Sequence, residues 1–191
     1  LQNDTLKAES LKRLMRYLFK SEKNRPLYGA FVKEYKSITY DKYESLQALF
    51  YELGYQMTLK FYDTPNAEPP LGLAESGIVM AETLDVPYIK ARFCQLAGVN
   101  YDLFLQNPKK AEEKYLNAIK IYESIPFFYA QSHLFGMYIN LGSAYGFEEP
   151  EKALPLLQKA LQLPNENRRM KDLILLYDNL YTTYKTLKKT R

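Results

Sequence analysis

Few side chains in this sequence are of the types that carry out chemistry, and they lie far apart. His133 is the only histidine and Cys94 the only cysteine among the 191 residues. A single histidine excludes a metal site that needs two imidazoles and a catalytic arrangement that needs a second one. A lone histidine on a helix usually has a structural role or faces solvent, and a lone cysteine is usually a small buried apolar residue. Neither side chain predicts catalysis or metal binding.

Acidic residues are grouped at two places, and their positions favour a structural role. Glu112 and Glu113 form one group, and Glu148, Glu149 and Glu151 form the other. Both groups lie where a helix is predicted to begin, and carboxylates at that end complement the helix dipole. The sequence has no glycine-rich phosphate-binding loop, no cysteine pair and no nucleophile motif. We therefore expect no enzymatic activity, no cofactor and no metal ion.

The composition is that of a folded, aromatic-rich protein. The chain has 18 tyrosines and 10 phenylalanines but no tryptophan. Its net charge is +4, and the basic excess falls within residues 1–38 and 185–191 rather than along one face. Nucleic-acid-binding proteins more often concentrate basic residues on a stripe, and no run approaches the roughly 20 apolar residues of a membrane span. These observations argue against direct binding to nucleic acid or membrane.

Three glycines recur at a fixed distance, which indicates an internal repeat. Gly54, Gly98 and Gly142 are each 44 residues apart, and Tyr181 stands at the corresponding place of a fourth, partial copy, 39 residues after Gly142. Internal periods of roughly 20 to 50 residues are typical of solenoids. We therefore expect about three and a half copies of one structural unit.

The third copy shows that each period divides into two helices. The first is predicted from Leu134 to Tyr145, where large apolar residues recur at helical spacing. The second is predicted from Pro150 to Leu163, because proline suits the first turn of a helix, and Pro164 is predicted to end it. Asn107-Pro108 is predicted to open the matching helix of the second copy.

Small residues in this pattern mark where the two helices meet. Two helices approach closely only where one presents glycine or alanine against a large residue of the other. Gly142 is therefore predicted to contact the second helix near Ala153. The buried face of that second helix is predicted to consist of its alanines together with Leu154, Leu157 and Leu161.

The order and spacing of these residues resemble the tetratricopeptide repeat family. The third copy matches the family pattern at Tyr138, Leu141, Gly142, Tyr145, Ala153, Leu157, Ala160 and Pro164, and the second copy matches less fully. The resemblance covers roughly residues 43–184, although a period of 39 to 44 residues exceeds the usual period of about 34. It implies an all-α fold, a right-handed α-α superhelix of about 3.5 helix-turn-helix repeats.

The chain is predicted to consist of a helical cap followed by the repeats. Residues 1–38 form the cap, a pair of helices whose second member begins near Pro26. The first cap helix is predicted to bury one side, made of Leu6, Leu11, Leu14, Met15 and Leu18. Residues 39–191 hold the repeats, which we expect to form one continuous domain. Their approximate bounds are 43–86, 87–127, 128–165 and, for the partial copy, 166–191.

The resemblance also implies a binding surface. The family's concave surface is lined by the first helix of each pair, at positions counted from the glycine. The positions that correspond in this chain are Tyr51, Tyr55, Arg92, Gln95, Asp102, Asn140, Ser143, Asp178 and Thr182. Such a mixture suits an extended peptide, because amides can pair with its backbone and aromatic rings can contact its side chains.

The function expected from this surface is binding of a protein or peptide ligand. The chain would be the sensory or interaction part of a larger bacterial regulatory or envelope protein. The alternative is a structural scaffold that self-associates through its convex face or its open C-terminal end. A regulator that binds nucleic acid through a further domain is a third interpretation. The opening residues LQNDTL resemble the start of exported bacterial proteins after cleavage, so an extracytoplasmic location is expected, with the cytoplasm as the alternative.

Overall fold

The described part of the chain is entirely helical. A computed structural model describes residues 2–18, 22–39, 41–126, 128–146, 148–163 and 170–189. These residues contain no strand and form nine α-helices: α1 (Gln2–Leu18), α2 (Arg25–Ile38), α3 (Lys42–Tyr62), α4 (Leu71–Thr83), α5 (Pro87–Val99), α6 (Pro108–Glu123), α7 (Phe128–Tyr145), α8 (Pro150–Gln162) and α9 (Met170–Lys189). The predicted all-α class is confirmed. None of these described helices has the length and apolar character needed to cross a bilayer.

The helices belong to two compact units. The N-terminal unit is Leu1–Val86 and the C-terminal unit is Pro87–Arg191. Within each unit, helices that follow one another in the chain pack against each other. That the repeats form one continuous domain stays a prediction.

The N-terminal unit has its core where α1, α2 and α3 meet. The buried cluster consists of Ala8, Leu11, Met15, Tyr28, Val32, Tyr35 and Ala48. Gly29 of α2 allows a close approach here, because a Cβ at this position would lie 2.4 Å from the ring of Tyr55 on α3. As expected from Pro26, α2 begins at Arg25, so its proline occupies the first turn.

A buried group of charged and polar side chains joins the same three helices. Lys12 of α1 and Glu44 of α3 are 6% and 8% exposed, and the Lys12 Nζ lies 3.1 Å from the Glu44 Oε1. The Tyr35 hydroxyl of α2 donates to the other oxygen of Glu44, and Glu9 also pairs with Lys12. Burial alone would lower the pKa of Lys12, but the hydrogen bonds to Glu9 and Glu44 outweigh it and the pKa lies above its usual value. The lysine therefore stays charged.

The predicted buried side of α1 is wrong at two positions. Leu6 is 65% exposed and Leu14 is 47% exposed, whereas Ala8, Leu11 and Met15 are buried. The reason is the pairing of Lys12 with Glu44, which turns the stripe of residues 8, 11, 12 and 15 towards the core. Leu6 consequently lies on the opposite side of the helix, and Leu14 lies on the flank of the buried stripe.

The C-terminal unit consists of helix pairs held together at glycines. α5 packs on α6 and α7 packs on α8, and α6–α7 and α8–α9 join the pairs. A Cβ at Gly142 would lie 2.8 Å from the Leu157 Cδ2 and 3.6 Å from the backbone oxygen of Ala153, so the predicted contact point is confirmed, with Leu157 as its nearest neighbour. A Cβ at Gly98 would lie 2.4 Å from the ring of Tyr115 on α6. Both glycines therefore admit a large side chain of the partner helix.

The predicted starts of α6 and α8 are confirmed, whereas the start of α7 and part of the buried face of α8 differ from the prediction. α6 begins at Pro108, with the Asn107 side chain accepting a hydrogen bond from the Lys110 backbone nitrogen at 3.2 Å, and α8 begins at Pro150 as predicted. However, α7 begins at Phe128 rather than at Leu134. The buried face of α8 consists of Ala153, Leu157 and Ala160. Of the other predicted residues, Leu154 is only half-buried, and Leu161, which directly follows Ala160, is 45% exposed. Pro164 lies outside the described residues.

Tyrosine hydroxyls link successive helices of the C-terminal unit. Each hydroxyl donates to a side chain that precedes it in the chain: Tyr115 to Asp102 at 3.4 Å, Tyr122 to Gln95 at 3.3 Å, Tyr138 to Glu123 at 2.6 Å and Tyr145 to Glu112 at 2.5 Å. Burial is the main reason that the pKa of each of these hydroxyls is raised. They stay protonated and act as donors at neutral pH.

Candidate functional site

A cleft lined by side chains of α5, α7 and α9 is the candidate site of the C-terminal unit. Its volume is about 290 Å³. Its lining residues are Gln95 of α5, Ser132, His133, Phe135, Gly136, Ile139 and Asn140 of α7, and Asp172 and Leu175 of α9. These three helices correspond to the first helices of the second, third and fourth predicted copies. One face of each of these three corresponding helices thus contributes side chains to the cleft.

His133 forms one wall of the cleft and is held on its other side by α5 and α6. Its Nε2 lies 2.9 Å from the Nη1 of Arg92 and 3.0 Å from the hydroxyl of Tyr88. The ring of Tyr122 stacks on the imidazole, with centroids 5.4 Å apart and planes at 19°. Because a guanidinium can only donate, Nε2 must accept, and the proton of the neutral ring therefore lies on Nδ1.

The surroundings of His133 keep it neutral. Burial, with a smaller contribution from the charge of Arg92, lowers the pKa of His133 to about 4. In the part of the chain that the structure describes, the ring's only hydrogen-bond partners, Arg92 and Tyr88, are both at Nε2. The imidazole is thus a neutral hydrogen-bond donor through Nδ1, and at pH 7 it adds no charge to the cleft.

This lowered pKa predicts a dependence of stability on pH. The unfolded chain binds a proton near the ordinary pKa of 6.5 and the folded protein only near 4. The contribution of neutral His133 is therefore complete above pH 6.5 and is lost as the pH falls towards 4. Lowering the pH from 7 to 4.5 should reduce the free energy of unfolding of the wild type by about 2 kcal/mol more than it reduces that of the His133→Gln variant. This figure allows for the partial solvent exposure of the imidazole. Urea denaturation at both pH values measures this, and equal losses in the two proteins would contradict it.

Two carboxamides in the cleft have unused hydrogen-bonding capacity. The Oε1 of Gln95 accepts from the Tyr122 hydroxyl, while its amide nitrogen has no acceptor among the described residues. Asn140 is half-buried in the cleft wall, and its side chain makes no hydrogen bond to any residue that the structure describes. Paired donors and acceptors of this type match the amide groups of an extended peptide.

The predicted binding residues occupy different surroundings. Gln95 and Asn140 line the cleft, and Arg92 touches it through His133. In the N-terminal unit, Tyr51 and Tyr55 are half-buried and pack against the core cluster of α1 and α2. Their roles in binding stay a prediction.

The remaining predicted residues do not line the cleft. Asp102 lies in a π-helical turn, Asn100–Phe104, that continues α5, and it accepts the hydrogen bond of Tyr115. Ser143 and Asp178 are exposed, and Thr182 is half-buried on α9. A role in ligand binding stays a prediction for Ser143, Asp178 and Thr182 as well.

Sequence reasoning missed seven residues of the cleft: Ser132, His133, Phe135, Gly136, Ile139, Asp172 and Leu175. One signal was available. His133 and Gly136 precede Asn140 by seven and four residues, and this spacing places all three on one face of a helix. Extending the predicted surface back along α7 would have found them.

Other kinds of site have less support. Among the described residues, no group of three or more histidine, cysteine, aspartate or glutamate side chains could hold a metal ion. Cys94 is a buried thiol on α5, as expected of a small apolar residue.

The fold and the cleft define the class of the protein as an all-α protein built from successive packed helices. Its fold is similar to that in the crystal structure of BtubC (BKLC) from P. vanneervenii, with a TM-score of 0.67 and 13% sequence identity. The match covers 98% of this chain and 82% of that chain. At this level of identity the similarity concerns the fold alone. No family model and no curated protein matches the sequence.

Proposed function

We propose that the chain is a protein-binding module of the tetratricopeptide repeat type, whose cleft on α5, α7 and α9 binds an extended peptide segment. The observation that carries this proposal is the pair of carboxamides, Gln95 and Asn140, whose free donors and acceptors line the cleft. The polar atoms of these two side chains are not among the buried, unpaired side-chain atoms of the described residues, so they are open to the cleft and a ligand can replace the water there. A peptide backbone offers alternating carbonyl and amide groups that do so.

A right-handed superhelix of about 3.5 repeats is the architecture that we propose for this module. It is supported by the recurrence of the same contact in two pairs, where Gly98 admits Tyr115 and Gly142 admits Leu157. Equivalent contacts at equivalent places are expected when successive repeats stack in the same way. Residues 1–38 would then cap one end of the array.

Recognition in the cleft would combine backbone and side-chain contacts. The Gln95 amide nitrogen and the His133 Nδ1–H supply donors, and Asn140 supplies both a donor and an acceptor. Phe135, Ile139 and Leu175 add apolar surface for a ligand side chain. Since the lining residues belong to three different helices, an occupied cleft would bridge them. A larger regulatory or envelope protein could use such bridging to report the presence of the ligand.

The experiment is a selection of displayed random dodecapeptides on the 191-residue chain, followed by titration of the selected peptides. We expect the selected peptides to lose about tenfold in affinity, or about 1.4 kcal/mol, on the Asn140→Ala variant, the magnitude of one or two lost hydrogen bonds. Gln95→Ala should act in the same direction. The matched control is the exposed pair Ser143→Ala/Asp178→Ala, which should leave affinity unchanged. Selected peptides that bind all variants equally would place recognition outside the cleft and contradict the proposal.

A further inference from the structure

α9 carries a continuous row of large exposed side chains. Met170, Ile174, Tyr177, Tyr181 and Tyr184 are each between 46% and 72% exposed. Their spacing alternates between four and three residues, so they form one straight stripe along the helix, about 21 Å long. The side of α9 that is buried, through Leu176, Leu180 and Thr183, lies about a third of a turn away around the helix. We call the five exposed side chains the α9 stripe.

The internal repeat shows what covers this surface elsewhere in the protein. When Tyr181 is aligned with Gly142, Tyr177 and Tyr184 correspond to Tyr138 and Tyr145 of α7. All three α7 residues contact the following helix, α8. The contacts are the Lys159 Nζ at 5.4 Å from the Tyr138 ring centroid, Leu157 against Gly142, and the Lys152 Nζ at 5.2 Å from the Tyr145 ring centroid.

The pair α5–α6 has the same arrangement. Gly98 lies against Tyr115, and the Lys110 Nζ lies 5.3 Å from the centroid of the Tyr101 ring. Tyr181 and Tyr184 of the α9 stripe thus lie on the surface that receives an antiparallel helix carrying lysines in both preceding pairs, and Tyr177 lies on the surface that does so in α7–α8. An apolar and aromatic surface of this kind is typical of an interaction site when it is left uncovered.

None of the described helices covers the α9 stripe in this way. Tyr184 accepts a hydrogen bond from the Gln158 Nε2 at 3.3 Å, so its end of the stripe touches α8. The cation over Tyr181 comes from Lys185 of α9 itself, at 5.8 Å. In the part of the chain that the structure describes, no cation lies over Tyr177. The lysines that cover the α7 tyrosines thus have no counterpart here.

We propose that the α9 stripe binds an amphipathic helix of a partner protein, in the orientation that α8 takes on α7. Tyr181 stands where the earlier pairs have glycine, so the bound helix must present a small residue at the place that Leu157 occupies in α8. Basic side chains of the partner would lie over Tyr177 and Tyr184, as cations do on aromatic faces. The partner is therefore a helix with alanine or glycine on its apolar face and lysine or arginine beside it.

A second copy of this chain fits the stripe poorly. The close helix contacts at Gly29, Gly98 and Gly142 each set a glycine against a large side chain. Two α9 stripes facing each other would instead place large side chains against large ones. The small residue has to come from the partner.

The test uses synthetic peptides with the sequence of residues 148–163, which contains α8. One peptide is unchanged and the other carries Leu157→Ala. The wild-type protein should bind the Leu157→Ala peptide about tenfold more tightly than the unchanged peptide, because only the former leaves room for Tyr181. The Tyr181→Gly protein should reverse this preference. Binding is measured by calorimetry, and the contact is mapped by NMR signals of α9.

The matched control is Tyr43→Gly, which makes the same change at an exposed tyrosine of α3 and should keep the wild-type preference. Circular dichroism verifies that each variant is folded, and Tyr181→Ala replaces Tyr181→Gly if the glycine unfolds the helix. Failure of both peptides to bind, or the same preference in wild type and Tyr181→Gly, would overturn the proposal. So would a concentration-dependent doubling of mass in ultracentrifugation that Tyr181→Gly abolishes, since that result would assign the stripe to self-association.

Discussion

Glu44→Ala should lower the free energy of unfolding by about 3 kcal/mol, the largest effect that we expect from one substitution. The substitution removes the carboxylate that accepts from both Lys12 and Tyr35. Glu9 remains beside Lys12, but its side chain is 51% exposed and leaves the buried side of the ammonium without a partner. Tyr35, which is fully buried, would keep a hydroxyl without its acceptor. Urea denaturation monitored by circular dichroism measures the loss.

A surface ion pair provides the comparison for this result. Lys36 and Glu52 also join α2 to α3, but 45% of the lysine side chain is exposed. Glu52→Ala should therefore cost less than about 1 kcal/mol. The double variant Lys12→Met/Glu44→Leu should recover much of the loss, because it removes both buried charges together. A Glu44→Ala loss no larger than that of Glu52→Ala would show that the buried pair does not stabilise the N-terminal unit.

Gly98→Ala should lower the free energy of unfolding by about 2 kcal/mol, although alanine is normally the better helix residue by about 1 kcal/mol. A Cβ at this position would lie 2.4 Å from both Cδ1 and Cε1 of Tyr115. The tyrosine cannot yield easily, because it is 1% exposed and its hydroxyl donates to Asp102. The added methyl group must therefore push α5 and α6 apart. Thermal and urea denaturation give the change.

Gly136→Ala is the matched control, since it makes the same substitution in the neighbouring first helix, α7. A Cβ at Gly136 would have no atom within 4 Å. This variant should gain up to about 1 kcal/mol from improved helix propensity. If Gly98→Ala stabilised the protein as much as Gly136→Ala does, the close approach of Tyr115 would not be what requires the glycine.

Much of the helix pairing could be predicted from the sequence, because close contacts between helices restrict residue size. Gly142 and Leu157 are an example, since the small residue and the large one recur at fixed distances in the chain. The exposure of Leu6 could have been predicted, because its spacing of five residues from Leu11 places it about 140° away around the helix. The exposure of Leu14 could not be predicted in the same way. That exposure depends on the contact between Lys12 and Glu44, which are 32 residues apart in the chain. The hydrophobic periodicity of α1 alone does not indicate such a contact.

Two cleft residues, Gln95 and Asn140, could be predicted from their positions relative to the glycine of their repeat copy. His133 was expected to be structural or to face solvent, and the structure instead places it in the cleft wall. Its lowered pKa arises from burial beside Tyr122 and, to a smaller extent, from the charge of Arg92, whose hydrogen bond also sets the tautomer. Arg92 is 41 residues distant in the chain, so only the packing of both α5 and α7 on α6 brings the two side chains together.

The tyrosine hydrogen bonds of the C-terminal unit bear on how cooperatively it unfolds. In a stack of similar units, stability divides into a part intrinsic to each helix pair and a part that couples neighbours. The bonds from Tyr138 to Glu123 and from Tyr145 to Glu112 both run from α7 back to α6, and so contribute to the coupling between the second and third pairs. Strong coupling makes partly unfolded states rare, because unfolding one helix pair also breaks its contacts with the neighbouring pair. Proteases that need a frayed segment would accordingly find few such states between α6 and α8.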